Sequence, residues 1–173
     1  MDIRARLEAE HSKTLTTAIV NYVGDDKKRF KELMTLFFEG EYRLTQRAAW
    51  PLSYIVIEHP KLLDPYFEKF VKKLETPGNH PAISRNILRV LQEIDIPEKY
   101  QGLLIDLSFR IVMNETETAA VRAFAITVAT KISKNYPDLK NELLIILKEL
   151  SALPQLPSMT SRIKKALKDL KRV

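Results

Sequence analysis

Residues 120–132 read AVRAFAITVATKI, a stretch in which Phe124, Ala125 and Val128 follow Arg122 by two, three and six residues. The same frame occurs twice upstream. In ISRNILRVLQEI (83–94) Arg85 is followed by Ile87, Leu88 and Leu91, and in TQRAAWPLSYIVI (45–57) Arg47 is followed by Ala49, Trp50 and Ser53. The three arginines lie 38 and 37 residues apart, each opens an apolar-periodic helix, and each such helix follows another amphipathic one. Repetition at this period predicts stacked helical hairpins whose apolar stripes are covered by their neighbours.

Outward from these stretches the apolar spacing stays helical, and prolines fall at the boundaries: Pro60, Pro65, Pro77, Pro81, Pro97, Pro137, Pro154 and Pro157. The spacing predicts a leading helix near 3–23 and four hairpins. Their first helices fall near 26–38, 62–75, 99–113 and 138–152, and their second helices near 41–58, 81–95, 117–134 and 158–172. The last hairpin aligns with Ser161 in the arginine position, 39 residues after Arg122, because Ile163 and Leu167 then match Phe124 and Val128. Arg162 is one residue out of that register. Pro51 lies inside a predicted helix, where it lacks an N–H and crowds the Arg47 carbonyl, so a kink and an irregular hairpin are expected at 41–58.

These stretches resemble the HEAT-like family of helical repeats. AVRAFAITVATKI is the clearest match, and the likeness covers roughly 24–172. The turns inside the repeats read EGE, TPGNHP and NETET, without the Asp common there in that family. The resemblance implies an all-α fold: a right-handed α-α superhelix (ARM/HEAT-like solenoid) of about four helical hairpins plus an N-terminal helix, in a single domain over 1–173. The first helix is polar through Arg4, Arg6, Glu8, Glu10, Lys13 and Asn21, and the last turns Ile163, Ala166, Leu167 and Leu170 inward. Both ends therefore read as caps of a complete solenoid.

With 173 residues, 45% of them hydrophobic, the chain can bury one continuous core. The absence of cysteine excludes a disulfide, a thiolate nucleophile and a thiolate metal site, and suits a reducing cytoplasm. The opening MDIRARLEAEH is charged from its second residue, and the longest aliphatic run is LLIIL (143–147), so neither a signal-peptide core nor a membrane span is expected. The formal charge of +6 is unevenly spread: residues 155–173 carry six basic side chains against Asp169, and the other 154 carry 22 against 21.

Arg43, Arg47, Trp50 and Tyr54 follow i, i+4, i+7, i+11 and so share one helical face. With Arg85, Arg89 and Arg122 they form a candidate binding surface on the concave side, suited to phosphates or acidic segments. A structural reading competes and is favoured for the arginines. In the family this chain resembles, the equivalent Arg usually braces neighbouring repeats through carboxylates and carbonyls. Trp50 stands where other repeats have Leu88 and Ala125, which favours packing. Tyr54 stands where they have Gln92 and Ala129, and either reading fits it. His11, His59 and His80 are scattered, so no metal site is expected. No nucleophile, phosphate-loop or dinucleotide motif occurs, and no cofactor is expected. The basic patch of Arg162, Lys164, Lys165, Lys168, Lys171 and Arg172 suits the end of a terminal helix and its solubility, or nucleic-acid contact.

The functional expectation is a non-enzymatic interaction or scaffold module whose concave face holds another protein or peptide, with no membrane role. The alternative is a nucleic-acid-binding HEAT-like protein, remotely similar to DNA-alkylation glycosylases. Such enzymes need a carboxylate beside an aromatic pocket, and Glu58 and Glu93 lie far down their helices. A small-molecule enzyme would require a deep pocket with a perturbed carboxylate near Trp50.

Overall fold

Short polar residues start the helices. Asp2, Ser12, Asp26 and Thr118 each accept a hydrogen bond from a backbone N–H of the turn they precede, and Pro81 and Pro137 occupy first-turn positions where no N–H is needed. The structure, a computed structural model, describes residues 1–171. Among these the elements are α1 (Ile3–Ala9), α2 (Lys13–Val23), α3 (Lys27–Glu39), α4 (Tyr42–Glu58), α5 (Phe67–Lys72), α6 (Pro81–Glu93), α7 (Glu98–Met113), α8 (Ala119–Ser133), α9 (Pro137–Ser151) and α10 (Pro157–Lys171), with no strand.

The leading segment differs from the single helix expected over 3–23. Glu10 is extended, with φ −143° and ψ 152°, and the Ser12 side chain accepts from the Leu15 N–H, so a new helix starts there. The first helix of the second hairpin is also broken. Pro60 and Pro65 confine its start to a 3-10 turn over Pro60–Tyr66, six α-helical residues follow, and Lys73–Glu75 is 3-10 again. By contrast, α4 runs without interruption through the buried Pro51.

The described residues group into two compact units, Met1–Ile94 and the stretch from Asp95 onward. The division comes at Ile94-Asp95-Ile96-Pro97. Ile94 is already extended, and Pro97 disfavours helical backbone at the residue before it. In the first unit α4 is the hub, packing on α1, α2, α3 and α6. Leu33, Phe37, Leu52, Ile55, Phe70 and Ile87 are 1% exposed or less, and Phe37 and Phe70 rings meet at 5.9 Å. In the second unit α8 is the hub, packing on α7, α9 and α10 around Leu104, Val112, Ile126, Val128, Leu147 and Ile163. Each such side chain contributes about 1.5–3 kcal/mol of burial. Thus α4 and α8 hold their units together, and each also lies against the second helix of the next hairpin.

Candidate functional site

The three repeat arginines do two different jobs. Arg47 donates from Nη1 to the carbonyl oxygens of Leu7 at 2.6 Å and Glu8 at 2.9 Å, at the end of α1. Arg122 is 8% exposed and donates from Nε to the Val112 carbonyl at 2.9 Å, at the end of α7. Both place a cation on the carbonyl-rich, negative end of a helix. Burial and this bond take Arg122 out of the exposed surface. Arg85 is exposed, and among the described residues it has neither a hydrogen-bond nor a carboxylate partner.

Arg85 instead helps to line a cavity of ≈ 230 Å³ between α4 and α6, with His11, Gln46, Trp50, Ala82 and Asn86. The half-buried Trp50 tilts against His11, with ring centroids 5.3 Å apart and planes at 58°. Burial, and secondarily the Arg47 charge, hold the His11 imidazole below its ordinary range. One helical turn beyond Trp50, Tyr54 is 37% exposed, and the Arg89 guanidinium lies 4.3 Å from its ring centroid. Interaction with Arg89, above all its hydrogen bonding, keeps the Tyr54 phenol below its ordinary pKa. At the start of α4, exposed Arg43 lines a smaller cavity of ≈ 170 Å³ that includes Glu8 and Glu41.

A corresponding groove of ≈ 430 Å³ lies between α8 and α10 in the second unit, lined by Ala120, Ala123, Phe124, Ser158, Ser161, Arg162 and Lys165. Three of its positions on the later helix match those of the first, while those on the preceding helix differ. Counted from the arginine position, Ala82 and Ser158 stand three before it, Arg85 and Ser161 at it, and Asn86 and Arg162 one after. On the preceding second helix, Trp50 stands three after and Phe124 two after. Arg162 reaches back toward α8, donating to Thr127 Oγ1 at 2.6 Å with its guanidinium 5.7 Å from the Phe124 centroid. Lys164, Lys165, Lys168 and Lys171 are exposed, and Arg172 lies outside the described residues.

The first unit therefore brings together Arg43, Arg47, Trp50, Tyr54, Arg85 and Arg89 on α4 and α6. Sequence reading missed His11, because its contact with Trp50 depends on the helix break at Ser12. It also missed the Phe124 groove, whose signal was present as an aromatic beside the arginine position. No carboxylate lines the cavity beside Trp50. Among the described residues no three His, Asp or Glu side chains gather as a metal ion would require, and no helix is long and apolar enough to cross a membrane.

The chain matches the model of a HEAT repeat domain over residues 3–170, so it belongs to the HEAT repeat family. It is an all-α helical solenoid, a repeat scaffold of a kind that commonly mediates protein interactions. No curated protein and no solved structure matches it.

Proposed function

We propose that this protein is a non-enzymatic interaction module of the cytoplasm, which binds partner proteins by taking an extended segment into the groove between the paired second helices of a unit. The observation that carries this reading is the recurrence of a groove beside an aromatic ring in α4–α6 and in α8–α10, with the wall on the later helix built from three matching repeat positions. Packing alone calls for an apolar, filled junction at such a position. Here the junction is open in both units, with an aromatic ring on one wall and cationic or amide side chains on the other. Tyr54 with Arg89 extends the first groove along its helices, and Trp50 and Phe124 supply flat faces with few rotamers to immobilise on binding.

The test is selection of short peptides from a random display library on the full chain, followed by rebinding to Ala82→Trp and Ala120→Trp, which place an indole in one groove each. Selected peptides are expected to lose about tenfold or more in affinity for one of the two variants, since a filled hot-spot pocket loses its anchor. Helical circular dichroism should be unchanged. Peptides that bind both variants as tightly as the parent chain overturn the reading.

A further inference from the structure

Charge on this molecule segregates by position in the repeat. The second helices α4, α6, α8 and α10 carry eleven basic side chains against three acidic ones, Glu58, Glu93 and Asp169. The elements that form the first halves of the hairpins, α3, the segment 60–75, α7 and α9, carry twelve against ten. The formal excess of the whole chain, +6, is thus smaller than that of its second helices alone. The repeats as a group share the imbalance, which is not peculiar to the basic last helix.

We infer that the segment taken up by each groove is acidic: Asp or Glu side chains of an extended peptide meet Arg85 in the first groove, and Lys165 serves the same role in the second. This deepens the reading of the grooves as binding sites and rests on it. The linings of both grooves contain cations and no carboxylate, and a cleft lined by one sign of charge concentrates ligands of the other. In the first groove Arg85 is the cation left free, because Arg47 is held by the end of α1 and Arg89 lies over Tyr54. A planar guanidinium in a groove that a half-buried indole also lines suits a carboxylate with an apolar stem.

The same residues argue against a nucleic-acid backbone as the occupant. A phosphate chain carries charge at every step. Along α4 and α6 it would meet Glu8 of α1 and Glu41, the residue before α4, beside Arg43 at one end, and Glu58 and Glu93 where the helices finish. A peptide can place its carboxylates opposite Arg85 and present neutral or basic residues to those glutamates.

Trp50 is the sole tryptophan and lines the first groove, so its fluorescence reports occupancy there. The experiment titrates the full chain with poly-L-glutamate, poly-L-lysine and a duplex oligodeoxynucleotide, and repeats the first titration on Arg85→Gln and Arg85→Glu. A saturable response to poly-L-glutamate is expected. It should weaken about fivefold or more in Arg85→Glu, less in Arg85→Gln, and further as added salt shortens the screening length. No response to poly-L-glutamate, an equal response in Arg85→Glu, or tighter binding of the oligodeoxynucleotide overturns the inference. Neutral peptides that lose affinity for the groove-filled variants, with no poly-L-glutamate response, would overturn the acidic preference and leave the groove reading standing.

Discussion

Arg122 and Val112 join the end of one helix to the start of the next: the buried guanidinium Nε donates to the Val112 carbonyl at 2.9 Å, closing the end of α7 from the first turn of α8. Arg47 does the same for Leu7 and Glu8 at the end of α1. Arg85 makes no such bond. Chemical unfolding should separate them. Arg122→Met is expected to cost about 1.5–3 kcal/mol, the range for a lost hydrogen bond to a charged group. Arg85→Met should stay within about 0.5 kcal/mol of the parent, as for exposed changes generally. Equal losses at the two positions would contradict this division of roles.

The hydroxyls of Ser108 on α7 and Ser133 on α8 are buried without a hydrogen-bond partner among the described residues. Each is 0% exposed. An unsatisfied buried hydroxyl carries its desolvation cost with no return, so Ser133→Ala should be neutral or stabilising by up to about 1 kcal/mol. A clear loss in the thermal midpoint would show that the hydroxyl has a partner.

His11 links stability to pH. Its folded pKa lies below the ordinary 6.5 because of burial and the Arg47 charge. Between that lowered value and 6.5 the unfolded chain binds more protons than the folded one, so stability falls as the pH falls through this window. His11→Gln lacks this penalty. The stability of the variant relative to the parent should rise on acidification from above 6.5 to below it, read by urea midpoints at each pH. A constant difference across the window would remove His11 as the cause.

Tyr54 ionises below the ordinary tyrosine value of 10.0 because of Arg89. Ultraviolet titration should show an early phenolate component that Tyr54→Phe abolishes and Arg89→Gln moves upward. Persistence of that component in Tyr54→Phe would assign it elsewhere.

The hairpins were legible because the spacing of Arg47, Arg85 and Arg122 and the prolines between them report repeat length directly, and the second helices expected at 41–58 and 81–95 appear as α4 and α6 within about two residues. The break at Ser12 was hidden by continuous helical spacing on either side of it. The 3-10 segment at Pro60–Tyr66 has its signal in two prolines, which by themselves mark a boundary and not the kind of helix that follows. At the site, phase placed Trp50 and Tyr54 on one face of α4. It could not tell which arginine is free, since that depends on which helix end each guanidinium can reach.

The break at Ser12 has a consequence for recognition. It sets an imidazole from outside the repeats against Trp50, so the first groove offers indole, imidazole and guanidinium where the second offers phenyl, hydroxyls and ammonium. The two grooves are therefore chemically distinct, although both lie between paired second helices.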